Sequence, residues 1–188
     1  MMLRAAFVPP ESAVVELRVL AGRLSVLPGV RPEPPERLDV RIAGLGNVVE
    51  GDARRLAEAI ERELRLPEPP VVRCAGVRLL DSGEVVVDLT GDVETLRSTV
   101  RALGKAAERV NLYVDRRSFR AAIVVATVEA QRPGSRVAAA LAGAAGWEGS
   151  DWAVSEVALL KTRWGAGHPG NDLLGVVPII ADPATLLE

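Results

Sequence analysis

Histidine, cysteine and aromatic side chains are scarce in this chain: one histidine, one cysteine, and 3% Phe, Trp and Tyr together in 188 residues. The lone Cys74 excludes an intramolecular disulfide and leaves no Cys/His cluster for a structural zinc, so neither a metal nor another cofactor is expected. Charge of one sign is lacking too. Lys and Arg number 23 against 25 Asp and Glu, and the net charge of -2 supplies no global field that would gather nucleic acid. Strong non-specific binding to RNA or DNA is therefore not expected. No apolar run approaches the roughly 18 residues of a membrane helix. The short apolar stretch from Met1 ends at Pro9-Pro10, too soon for a secretory h-region and cleavage site. A cytoplasmic protein without membrane association is the expectation.

What is present is an ordinary soluble composition, 48% apolar and 26% charged, enough for one sizeable core. Leu3 to Val8 reads as a strand stopped by two prolines, followed by a helix over Glu11 to Leu24 with Val14, Leu17, Leu20 and Leu24 at helical spacing. Pro28 to Pro35, with four prolines and a glycine, reads as a loop without donors for a ladder. Arg37 to Leu45 alternates as a strand, Leu38, Val40 and Ile42 on one face, Asp39 and Arg41 on the other. Gly51-Asp52 offers a cap for an amphipathic helix over Ala53 to Leu64. Val71 to Leu80 and Glu84 to Leu89 flank Asp81-Ser82-Gly83, which predicts a hairpin. Helices over Asp92 to Val110 and Ser135 to Ala145 and strands over Phe119 to Val128 and Ala153 to Lys161 complete the reading. Hairpins mixed with helices point to an α+β fold rather than a doubly wound sheet.

The segment Arg37-Leu38-Asp39-Val40-Arg41-Ile42-Ala43-Gly44-Leu45-Gly46 and the segment Phe119-Arg120-Ala121-Ala122-Ile123-Val124-Val125-Ala126-Thr127 each precede a helix. With the opening Leu3 to Glu11, the middle hairpin and Trp152 to Arg163, they occur in an order and spacing that resemble the two-histidine phosphoesterases, the superfamily of bacterial 2'-5' RNA ligases and RNA 2',3'-cyclic phosphodiesterases. The resemblance covers nearly the whole chain. It implies a single bilobal domain over residues 1–188, two antiparallel-type sheets flanked by helices around a central cleft, and a pseudo-two-fold. In that family each lobe supplies a His-x-Thr or His-x-Ser motif, and the two imidazoles share general acid and base work on a 2',3'-cyclic phosphate or a 2'-5' linkage. Here Asp39 and Arg41 stand at the first motif, Ala122 and Val124 at the second. Nothing at Ala122 carries a proton.

The resemblance therefore implies a phosphoesterase-like protein lacking both catalytic histidines and holding no catalytic residue. Asp39, Arg41 and Arg120 are the candidate binding residues, with the guanidinium groups as contacts for a phosphate-bearing nucleotide or RNA terminus. The alternative is a structural or protein-interaction role on the same fold, and a third reading keeps Asp39 as the sole base of a residual phosphodiesterase. The bland readings are an Asp39–Arg41 surface ion pair, a solvated Arg120 at a strand end, and a solvated turn at Arg116 and Arg117. His168, in Gly165-Ala166-Gly167-His168-Pro169-Gly170, reads as an exposed turn residue, and the glycines lack the Lys-Ser/Thr of a phosphate loop. Trp147, Trp152 and Trp164 read as core or lobe-interface packing, with base stacking as the alternative.

Overall fold

The computed structural model describes residues 1–114, 119–129, 134–163 and 170–180. The chain runs β1 (Met2–Phe7), α1 (Glu11–Ser25), β2 (Val30–Pro32), a 3-10 turn (Pro35–Arg37), β3 (Val40–Asn47), α2 (Glu50–Glu63), β4 (Val71–Leu79), β5 (Glu84–Gly91) and α3 (Val93–Arg109). It continues through β6 (Ala122–Val128), α4 (Ser135–Ala144), β7 (Glu148–Ala153), β8 (Glu156–Arg163) and β9 (Gly170–Pro178). The strands form two antiparallel sheets, ordered β3-β1-β8-β9 and β2-β6-β5-β4-β7, so the expected α+β class holds.

Each helix buries the stripe its sequence spacing supplies. In α1 that stripe is Ala13, Leu17, Leu20, Ala21 and Leu24, and it packs on β2, β6 and β7 of the second sheet although α1 leaves β1 of the first. α3 leaves β5 of the second sheet and lies against α2, which itself touches β9 of the first. These exchanges merge both sheets into one core that includes Phe7, Leu56, Ile60, Leu96, Leu103 and Ile123. Truncating a wholly buried member such as Ile60 to alanine costs about 2–5 kcal/mol, because the close-packed surroundings only partly collapse into the void. The β4–β5 turn needs its glycine: Gly83 has φ +86°, and a Cβ there would stand 2.8 Å from the Val128 carbonyl oxygen.

Several boundaries differ from the sequence reading. The Pro28–Pro35 segment is not ladder-free, since Val30–Pro32 pairs with Ala126–Val128 of β6. β2 is an edge strand, so the donor that Pro32 lacks is not missed by a second neighbour. The strand expected from Arg37 begins at Val40, after the 3-10 turn, and leaves Asp39 just ahead of it. The strand expected from Phe119 begins at Ala122. α2 starts at Glu50 with Val49 as its cap residue, so Asp52 sits in the first turn and pairs with Arg55 instead of capping. The strand expected over Ala153–Lys161 is two strands, β7 and β8, and a further strand, β9, follows it. β7 and β9 are edge strands whose outward residues carry little of the core.

Trp152 is buried and Trp147 packs partly buried against the core. Cys74 is buried beside them, and burial pushes its thiol up to about 11. The nearby Trp152 indole opposes that rise without its Nε1 reaching hydrogen-bond geometry. Such a thiol is inert at neutral pH. Arg116, Arg117, Trp164, Gly165, Gly167 and His168 lie outside the described residues. Among the described residues no helix is long and apolar enough to cross a membrane.

Candidate functional site

A cavity of about 450 Å³ opens between the two sheets. The first sheet contributes Arg4 of β1, Arg41 of β3, Thr162 of β8 and Asn171 of β9; the second contributes Glu84 and Val86 of β5, and Ala122 and Val124 of β6, with Arg120 just ahead of β6. Glu33, Arg37 and Asp39 line it from the segment that joins β2 to β3. The three residues singled out from the sequence, Asp39, Arg41 and Arg120, thus face one cavity, and so do Ala122 and Val124 across from them.

Strand irregularities set these directions. Ala5 pairs with Ala43 but Ala6 pairs with Arg41, a bulge in β3 that buries both Ile42 and Ala43 and leaves Arg41 exposed. In β6, Val85 pairs with Ala126 and Val86 with Val124, which turns Ala122 and Val124 to the cavity while Ile123 and Val125 enter the core.

Asp39 does not pair with Arg41. Its partner is Arg4, which donates from Nη1 to Oδ1 at 2.7 Å and from Nη2 to Oδ2 at 2.5 Å. The alternation that placed Asp39 and Arg41 together on an exposed strand face is thereby corrected: Asp39 is buried, whereas Arg41 is exposed. A carboxylate that leaves water needs a fork-shaped cation to replace its lost hydration, and Arg4 supplies one. Arg4 Nε also donates to Asn171 Oδ1 at 3.4 Å, and Asn171 Nδ2 donates to the Glu36 carbonyl at 3.2 Å. This chain of bonds ties β1, β9 and the 3-10 turn into one wall.

The other two carboxylates of the cavity also face arginines. Arg37 Nε lies 3.3 Å from Glu33 Oε2, close enough for an ion pair although the buried oxygen accepts no well-aligned hydrogen bond. Arg120 Nη1 lies 3.7 Å from Glu84 Oε2, with both side chains about half exposed. Among the described residues, four arginines therefore meet three carboxylates, each carboxylate beside its own arginine. Arg41 is left over: among the described residues it makes no hydrogen bond or ion pair. Sequence reasoning missed Arg4, Glu33, Arg37, Glu84, Thr162 and Asn171. Only Arg4 carried a signal, a lone charge inside the apolar run Leu3 to Val8, where a charge needs a partner.

No protein family and no curated protein matches this chain by sequence. Solved structures do match by shape. TT0787 of Thermus thermophilus superposes with a TM-score of 0.75 at 19% identity, over 95% of this chain and 98% of that one. E. coli LigT complexed with ATP gives 0.68 at 16% identity, over 96% and 98%. E. coli LigT complexed with 3'-AMP gives 0.70 at 18% identity, over 95% and 97%.

Proposed function

We propose that this chain, which has the two-histidine phosphoesterase fold, is a non-catalytic binder of a phosphate-bearing nucleotide or RNA terminus, and that the cavity between its sheets is the binding site. The single observation that carries the reading is Arg41, the one cavity arginine without a counter-charge among the described residues. A phosphate there gains charge-assisted hydrogen bonds without first displacing a carboxylate. Arg120 is the second contact, held only loosely by Glu84 at 3.7 Å. LigT, with the same fold, has been crystallised with ATP and with 3'-AMP, which makes a nucleotide the ligand class to test first.

The absence of catalysis rests on chemistry. Sharing general acid and base work between the two motif positions, as the resemblance implies, needs at each of them a side chain that exchanges a proton. At the second motif Ala122 and Val124 offer none, and the carboxyl that wall does carry, Glu84, lies beside Arg120. Asp39 is a poor base because both of its oxygens already accept from Arg4. The test is calorimetric titration of the native protein with adenosine 3'-monophosphate, ATP and inorganic phosphate at low and raised salt. Binding that weakens as salt rises is the expected result; no heat with any of the three at low salt sinks the reading.

A further inference from the structure

We infer that the outer face of β9 and α2 is a self-association surface, on which a second copy of this chain docks through a two-fold contact. The inference is independent of the nucleotide reading, because none of its residues lines the cavity between the sheets.

Among the described residues the two sheets end in four edge strands, and three of them are short, broken or flanked by charge in ways that discourage edge pairing. β2 is three residues long, with Pro32 and the exposed Arg31. β7 presents Glu148 and Asp151, both paired to Arg73. β3 is bulged and broken by Gly44 and Gly46. β9 has nine residues, a single charge, Asp172, which pairs with Arg163, no proline before its last position, and three large aliphatics in the open: Leu173 at 62%, Leu174 at 42% and Val176 at 46% exposure. Its bulge at Leu174 does not turn the edge polar; it brings Leu174 to the side of α2.

Beside these protruding side chains lies their complement. Gly175 has no side chain to cover Leu159, and the apolar residues α2 offers opposite, Ala53 and Ala57, are small, so a groove of about 220 Å³ runs between strand and helix. A knob and a hole on one face are what a two-fold contact requires, since each copy must supply both. The rim charges fit the same symmetry. Glu50 and Arg54 border the groove, have opposite sign, and make no ion pair among the described residues. Across a two-fold each finds the other's equivalent, whereas a partner of one charge sign would leave one of them opposed.

Sedimentation equilibrium of the full chain, from micromolar to near-millimolar concentration, tests this. A reversible monomer–dimer equilibrium is expected. Leu174→Glu should raise the dissociation constant about tenfold or more, the equivalent of withdrawing one buried leucine. Glu50→Arg and Arg54→Glu should each weaken the dimer, and the double exchange should recover part of the loss, which a merely adhesive apolar patch would not do. All these positions are exposed, so circular dichroism should show each variant folded. A monomer at every concentration overturns the inference, as does a dimer that is indifferent to Leu174→Glu or not recovered by the double exchange.

Discussion

Arg4 on β1 and Asp39 ahead of β3 form a two-pronged ion pair in the wall of the cavity, with side chains only 14% and 5% exposed. The pair removes from the site both a carboxylate that would repel a phosphate and a guanidinium that would attract one. What remains is set by the other arginines. Electrostatic character here follows from which arginine each carboxylate occupies rather than from the count of charges.

Asp39→Ala should therefore destabilise the fold and strengthen anion binding at once. Removing one partner of a largely buried pair strands the other and costs about 3–5 kcal/mol. In a chain of this size each kcal/mol lowers Tm by about 2–4 °C, so a drop on the order of 10 °C is expected by calorimetry. In the fraction that stays folded, Arg4 is freed toward the cavity, and affinity for inorganic phosphate should rise several-fold. Asp39→Asn, which keeps shape and an acceptor oxygen, should show the same gain with a smaller loss of stability. Weaker phosphate binding in Asp39→Asn would mean that Asp39 orders the site instead of neutralising it.

Incubation with 2',3'-cyclic nucleotides, followed by phosphorus NMR, should show no turnover above buffer. Turnover that Asp39→Ala abolishes would belong to this chain and would contradict the non-catalytic reading.

A third outcome concerns acid stability. Ser150 donates to Glu16 from its backbone N–H at 2.9 Å and from its hydroxyl at 2.5 Å, joining α1 to β7. These bonds, the hydroxyl's first, hold the Glu16 carboxyl below its ordinary 4.5. A depressed folded value means that the contribution is complete above about 4.5 and is lost as pH falls through the folded value. Denaturant melts of native protein and Glu16→Ala should differ at about pH 6 and converge as pH falls from 4.5 through the folded value. A gap that persists unchanged into acid would assign the effect to packing.

Much of the fold was legible because its central elements bury a periodic stripe. Leu17, Leu20 and Leu24 in α1, Leu56 and Ile60 in α2, and the Asp81-Ser82-Gly83 turn announce themselves from local chemistry. β2, β7 and β9 did not, since an edge strand is defined by hydrogen bonds to a neighbour distant in sequence and not by its own apolar pattern. The site divides the same way. Asp39, Arg41 and Arg120 came from motif frames, and all three line the cavity. The Arg4–Asp39 pair joins residues 35 apart in the chain, and the bulge that turns Arg41 outward depends on its register with β1. Neither can be read from one strand's alternation.

The measurement closest to the central claim is a calorimetric titration of adenosine 3'-monophosphate into native protein, Arg41→Ala and, as a control outside the cavity, Arg18→Ala on the exposed face of α1. Arg41 is exposed and unpartnered among the described residues, so its removal should leave stability within about 0.5 kcal/mol of native. Loss of its charge-assisted bonds to phosphate, about 1.5–3 kcal/mol, should weaken binding by about ten- to a hundredfold, with Arg18→Ala unchanged. Equal affinities for native and Arg41→Ala, or an equal loss in both variants, would contradict the account.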